Sequence, residues 1–251
     1  MNLEEKKELL HDDAIMNGNN LSDNTVIEEL KWLKRILEEK RIINSKENLV
    51  EKNIYDLVPP LLTRSNSPYA ELLKKYNFNF DERLVLILSL SIHIYPKILD
   101  IFKMDKLKVS FGGVTGKNYR GFIPTGETIM FILAGSNLGK RFELIRLFEK
   151  DHVFYKENFV YLEEASAGEP EFSGILTPSR DLVDLVLRGQ VRKPDLSPDF
   201  PAKLITTDMD WEDLVVPSYT TAQLQEIEQW IKYSEELLAD KNNHARPALK
   251  I

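Results

Sequence analysis

From Thr25 onward the apolar positions Val26, Leu30, Leu33 and Leu37 recur at helical spacing between Lys, Arg and Glu. The pattern predicts an amphipathic helix of about five turns, capped by Asp23 or Asn24. Residues 1–24 are polar and asparagine-rich, with Asn17-Gly18-Asn19-Asn20, and read as a flexible leader. A short helix is expected over Leu49–Leu57, stopped by Pro59-Pro60. Another is expected over Pro68–Tyr76, with Tyr69, Leu72, Leu73 and Tyr76 on one side.

Asn79 and Glu82 have capping-box spacing ahead of a strongly apolar run. Within it Ser89, Ser91 and His93 alternate with Leu88, Leu90, Ile92 and Ile94, which also suits a strand. The cap and the length from Asp81 to Phe102 favour a buried helix bent near Pro96. After Gly112-Gly113 and Gly116, a helix is expected from Pro124-Thr125-Gly126-Glu127 to about Ala134, ended by Gly135, then another from Gly139 to Lys150. Two β-prone pieces, His152–Tyr155 and Phe159–Leu162, flank Lys156-Glu157-Asn158 and predict a hairpin. The polar loop Glu163–Ser173 follows, then a helix over Ser179–Leu187 with Pro178 in its first turn and Gly189 closing it.

Helix, helix, hairpin, helix is the element order of a winged-helix module. The expected fold is therefore mainly α with a small β-hairpin wing (α+β). Its parts are a leader (1–24), a helical segment (25–80), a winged-helix-like core (81–190) and an extended acidic, proline-rich connector (191–220). A final helix (221–251), capped by Thr220 or Thr221, has Leu224, Ile227, Ile231 and Leu238 on one face and Trp230 beside it.

Composition narrows the chemistry. With 43% hydrophobic and 29% charged residues, the 251-residue chain is an ordinary globular one. It has no cysteine, which excludes disulfides, thiolate metal sites and cysteine nucleophiles and fits a reducing compartment. The charged start, Met1-Asn2-Leu3-Glu4-Glu5-Lys6-Lys7, lacks the apolar core of a signal peptide. The longest apolar stretch, Leu84 to Tyr95, falls short of the ~20 residues a membrane span needs. A cytoplasmic protein without a membrane partner is expected.

Nine Asp or Glu and two Lys between Asp208 and Lys241 account for the whole net charge of −7. A balanced body with an acidic end suits polyanions poorly. Lys97, Lys103, Lys106, Lys108, Lys117 and Arg120 make a modestly basic stretch, opposed by Asp100 and Asp105. The loop Glu163–Ser173 carries Glu163, Glu164, Glu169 and Glu171, which phosphates would repel. Protein contact is favoured over nucleic acid.

Three motifs approach catalytic or metal sites and miss. Gly135-Ser136-Asn137-Leu138-Gly139-Lys140-Arg141 has three residues between its glycines where a phosphate-binding loop needs four, and Arg141 stands where Ser or Thr should hold Mg²⁺. It reads as a tight helix–helix turn, and Gly113–Lys117 fails by more. Asp208, Asp210 and Glu212 occupy calcium-loop positions, but Asp213 replaces the required glycine and Tyr219 the final Glu. An acidic turn anchored by Trp211 fits better. His93 and His152 lack a second histidine at ligand spacing and read as structural.

Phe111-Gly112-Gly113, Gly121–Thr128, Phe131–Gly135, Phe200–Thr207 and Asp210–Val215 together resemble the region preceding the ATPase module in a bacterial family of AAA-type ATPases. Some members are encoded with phage-tail-like contractile injection systems. The likeness covers residues 81–251. In that family a helix like Thr221–Asp240 leads into a strand and a true phosphate-binding loop, and this sequence ends at Ile251, where the strand would start. The resemblance implies a non-catalytic N-terminal region that recruits or positions protein partners for a hexameric motor. ATP and Mg²⁺ would belong to the parent, with no catalytic, cofactor or metal residue in this chain. Phe200, Asp210, Trp211 and Leu214 are the expected docking contacts. Two rivals are a free-standing winged-helix nucleic-acid regulator and a small enzyme, for which no residue constellation speaks.

Overall fold

The capping box at Asn79 starts the central helix. The Asn79 side chain accepts from the Glu82 amide (3.0 Å), and the Glu82 carboxylate accepts from the Asn79 amide (2.7 Å). Both amides would otherwise lack partners at a helix start. The computed structural model describes residues 24–45, 53–62, 65–102 and 112–191 in one unit, and 208, 210, 213 and 215–239 in a second. Side chains are described from 25 to 40 in the first helix and up to 233 in the last.

The first unit runs α1 (Asn24–Ser45), a 3-10 turn (Ile54–Asp56), α2 (Pro68–Tyr76), α3 (Phe80–Ile94), a 3-10 segment (Pro96–Phe102), α4 (Gly126–Leu133) and α5 (Leu138–Ile145). A 3-10 turn (Arg146–Phe148), α6 (Val153–Lys156), β1 (Val160–Leu162), a 3-10 turn (Glu171–Ser173), β2 (Leu176–Pro178) and α7 (Arg180–Arg188) complete it. The second unit holds α8 (Ser218–Ala239). The described fold is thus mainly helical with one small antiparallel sheet.

Leu84, Val85, Leu86, Ile87, Leu88 and Leu90 of α3 are all buried, so this helix is covered all round. Ser89 and Ser91, also buried, donate to the Leu86 and Leu88 carbonyls (2.8 and 2.7 Å). Their hydroxyls are satisfied within the helix, so the alternation that suited a strand costs the core little. The chain turns by 110° between α3 and the Pro96–Phe102 segment, the bend expected at Pro96.

α1 buries Trp32, Leu33, Ile36 and Leu37, a wider face than the predicted one. The Trp32 indole N–H donates to the Leu57 carbonyl (2.6 Å), and its ring meets Phe80 edge-on at 5.1 Å. This draws the 54–60 segment between α1 and α3. Of the helix expected over Leu49–Leu57, residues 49–52 lie outside the described residues, and 54–56 form a 3-10 turn, because the Asn53 side chain caps at Tyr55 (3.1 Å) and the Leu57 amide closes back on Ile54 (3.0 Å).

The hairpin lies elsewhere than predicted. His152 Nδ1 accepts from the Phe154 amide (3.2 Å), which starts the short helix α6 where a strand was expected, and Phe154 is buried. Asn158, at φ 50°, then turns the chain into β1. β1 pairs with β2 in the register Val160↔Pro178, Tyr161↔Thr177 and Leu162↔Leu176. The loop from Glu163 to Ile175 therefore lies inside the hairpin, not after it. Pro178 ends β2, and Ser179 caps α7 through the Leu182 amide (3.2 Å). Gly189, at φ 74°, closes α7 as expected, since a left-handed C-cap favours glycine.

The segment before α4 joins the sheet. Thr125 bridges Ile175, the Leu176 amide donates to Pro124 O (2.9 Å), and the Gly126 amide donates to Gly174 O (3.1 Å). A Cβ on Gly174 would run into the Glu163 carbonyl, so this crossing needs glycine.

Candidate docking surface

The turn that resembled a phosphate loop joins two helices. Gly135, at φ 54°, ends α4, and the Asn137 side chain caps α5 through the Lys140 amide (3.1 Å). The helix α4, not a strand, leads directly into it. Both cations point to carboxylates of the same unit. Lys140 Nζ donates to Asp81 (2.7 Å) and Glu143 (3.2 Å), and Arg141 donates to both oxygens of Glu127 (2.7 and 2.9 Å).

With those cations turned inward, α5 shows an apolar face. Leu138, Phe142 and Ile145 follow at spacings of four and three, so they share one side of the helix. They are 69%, 70% and 37% exposed, whereas Leu144 on the opposite side is buried. Singly exposed apolar residues are ordinary, but a stripe of three on two turns is a contact surface in waiting. The loop between β1 and β2 exposes Glu163, Glu164, Glu169 and Glu171, as the sequence reading expected.

The titratable groups near α5 are held for structure. The Tyr55 hydroxyl donates to Asp81 (2.9 Å), and Lys140 Nζ lies 5.4 Å from the Tyr55 ring. Burial and the Asp81 carboxylate push the Tyr55 hydroxyl up to about 12. Burial alone would lower Lys140, but its hydrogen bond and charge pairing with Asp81 hold it above its ordinary range. Both shifts run away from neutral pH, the reverse of an activated acid, base or nucleophile.

His152 Nε2 meets Glu82 at 3.0 Å. Since Nδ1 accepts from Phe154, Nε2 carries the proton and donates. Burial would raise the Glu82 carboxyl, but the His152 hydrogen bond and the Asn79 amide outweigh it and hold it below 4.5. His152 is a structural histidine, as the sequence suggested. His93 is exposed, and partial desolvation lowers it.

One further ionic pair is buried. Arg83 donates to Glu29 and to the Pro60 carbonyl (2.9 Å), locking α1 and the 54–60 segment to α3. Burial raises the Glu29 carboxyl above 4.5 despite the opposing pull of Arg83. A groove of about 680 Å³ opens between the start of α1, residues 60, 61 and 65–68, and the end of α7. Its hydroxyls link to one another, Ser65 to Ser67 (3.2 Å) and Ser67 to Thr25 (3.5 Å), and Glu28 and Arg188 also line it. Among the described residues no group of three His, Asp or Glu could hold a metal ion.

Of the expected docking contacts, Phe200, Trp211 and Leu214 lie outside the described residues. Asp210 is exposed, and its amide donates to the Asp213 side chain (3.0 Å) in an acidic turn. Of the basic stretch, Lys103, Lys106 and Lys108 also lie outside, while Lys97, Lys117 and Arg120 are exposed. The α5 stripe escaped the sequence reading. Its signal was the spacing of Leu138, Phe142 and Ile145, which competes with Leu144 and Leu147 for the inward face.

Comparison of the chain with protein-family models, curated proteins and solved structures finds no match. No single described helix is long and apolar enough to cross a membrane.

Proposed function

We propose that this chain is the non-catalytic N-terminal accessory region of an AAA-type ATPase, a winged-helix-like module that recruits or positions protein partners for the motor. The observation that carries the docking role is the outward face of α5. In a helix-turn-helix arrangement the second helix meets the partner. A helix built for DNA presents Arg, Lys, Asn or Gln to base edges and phosphates. Here that face is Leu138, Phe142 and Ile145, and the cations of the turn are spent on Asp81 and Glu127.

The order of elements supports the winged-helix reading. A helix, α3, is followed by the bridging segment at Thr125, the pair α4 and α5, and two strands whose second lies beside that segment. The loop between the strands would be the wing, and its four carboxylates favour a protein partner over a polyanion.

The assignment to an ATPase parent, with the bacterial, cytoplasmic setting and hexameric, ATP- and Mg²⁺-dependent motor it implies, rests on the sequence likeness of residues 81–251. On this reading Phe200, Asp210, Trp211 and Leu214 would contact the ATPase module. The coding sequence beyond Ile251 tests the parentage: a glycine-rich phosphate loop between a strand and a helix is expected within about twenty residues. Fluorescence anisotropy with duplex DNA tests the docking role. Salt-sensitive binding at physiological ionic strength would replace it with a nucleic-acid regulator.

A further inference from the structure

Residues 115–122 form a loop closed at its base by the antiparallel bridge Val114↔Ile123, whose amides donate to each other's carbonyls (3.0 and 2.9 Å). Phe122 is buried with its ring 4.6 Å from that of Phe102, which anchors the loop to the 3-10 segment after α3. A Cβ on Gly113 would run into the Phe122 ring, and one on Gly121 into the Tyr119 ring, so glycine at both lets the two aromatics lie against the backbone. Thr125 Oγ1 donates to the Gly112 carbonyl (2.6 Å), tying the entry of this segment to the residue before α4. The loop is thus held to the fold at both ends, and loops positioned by a rigid scaffold are where binding residues concentrate.

It presents two cations and no carboxylate. Lys117 and Arg120 are exposed and have no ion-pair partner among the described residues, unlike Arg83, Lys140 and Arg141. Val114 and Tyr119, 36% and 38% exposed, add an apolar surface beside them. The register keeps the cations clear of the acidic loop. Thr125 bridges Ile175 in antiparallel sense, so Ile123 lies level with Thr177, and residues 115–122 leave the sheet at the end opposite the Glu163–Ile175 loop.

Charge selects the occupant. Two cations beside an aromatic suit carboxylates spaced by an apolar residue: Arg forks onto a carboxylate, Lys meets one as a point charge, and Tyr supplies rigid contact area. A nucleic acid asks for more. Its affinity rests on neutralising many phosphates, and a chain of net charge −7 repels those beyond the reach of the loop. A short acidic segment ends where the loop ends.

We propose that the 115–122 loop is a second docking site, which takes an acidic segment punctuated by apolar residues from a partner protein, through Lys117, Tyr119 and Arg120. It uses none of the α5 residues and does not depend on the role proposed for that helix.

Titrating the 15N-labelled full chain with a peptide of alternating Glu and Leu, at physiological ionic strength, tests it. Amide shifts confined to Val114–Ile123 are expected, with an affinity that falls as salt is added. Lys117→Glu with Arg120→Glu should weaken binding about tenfold or more, with thermal unfolding unchanged because both side chains are solvated. Tyr119→Ala keeps both charges and should weaken it several-fold. Three results would overturn the proposal: no shifts in the loop at millimolar peptide, an affinity indifferent to the charge reversal or to loss of the ring, or single-stranded DNA of equal charge binding the loop more tightly than the peptide, which would make the partner a nucleic acid.

Discussion

α3 and α5 handle polarity in opposite ways. α3 carries Arg83, Ser89 and Ser91 into the interior and pairs them there, Arg83 with Glu29 and the two serines with backbone carbonyls, although Arg83 Nε and Glu29 Oε2 stay without a hydrogen-bond partner among the described residues. α5 does the reverse: its Lys140 and Arg141 are tied to neighbouring helices, and Leu138, Phe142 and Ile145 are left to solvent. Side-chain polarity alone would put each set on the other side. Burial follows from which partners are within reach. α3 is thus the structural axis, and α5 leaves apolar side chains in solvent, the face on which the proposed docking role rests.

The largest expected effect lies on the α3 side. Removing one partner of a buried ion pair leaves the other uncompensated and typically costs about 3–5 kcal/mol. Arg83→Met should therefore lower the urea midpoint sharply at pH 7. The sign of the pH dependence follows from Glu29, whose carboxyl already lies above 4.5 when folded. A carboxyl raised in the folded state stabilises most below its unfolded value and loses that contribution as pH rises through its folded one. Without Arg83 the Glu29 carboxyl rises further, so the variant should regain stability as pH falls from 7 toward 4.5. A small, pH-independent loss would mean that the pair does not hold α1 to α3.

An intermediate effect is expected where the two helices meet. Lys140 of α5 reaches Asp81, in the first turn of α3, across 59 residues of sequence. Lys140→Ala leaves Asp81 with the Tyr55 hydroxyl, and losing a charge-assisted hydrogen bond costs about 1.5–3 kcal/mol. The melting temperature should fall accordingly. Calorimetry with ATP and Mg²⁺ gives the contrary outcome: micromolar binding that Lys140→Ala abolishes would make Gly135–Arg141 a nucleotide site and not a helix turn.

How far these features could be read in advance depends on the distance over which each is decided. The capping box at Asn79, the bend at Pro96 and the left-handed stop at Gly189 act within a few residues, and sequence spacing revealed them. The hairpin was misplaced because β1 finds its partner across the acidic loop, while a local competitor, the His152 cap on Phe154, claims the nearer segment for a helix. The α5 face depended on two such remote choices. Nothing local says that Leu144, and not Phe142, turns inward, nor that Asp81 and Glu127 will take the cations of the turn.

The smallest expected effect is the most telling for the contrast, because it separates the two faces of α5 itself. Leu144 is buried, so Leu144→Ala should cost about 2–5 kcal/mol, set by how far the site can collapse around the lost atoms. Phe142 is 70% exposed. Phe142→Ser removes a larger side chain yet should shift stability by no more than about 0.5 kcal/mol, as for surface positions away from caps and ion pairs. Thermal unfolding of the two variants side by side measures the difference. Were Phe142→Ser as destabilising as Leu144→Ala, both sides of α5 would be core, and the helix would have no face left to offer a partner. A near-silent Phe142→Ser would instead leave a large aromatic on a two-turn helix that the fold itself does not use. In that case Phe142, beside Leu138 and Ile145, stays available for the contact proposed above.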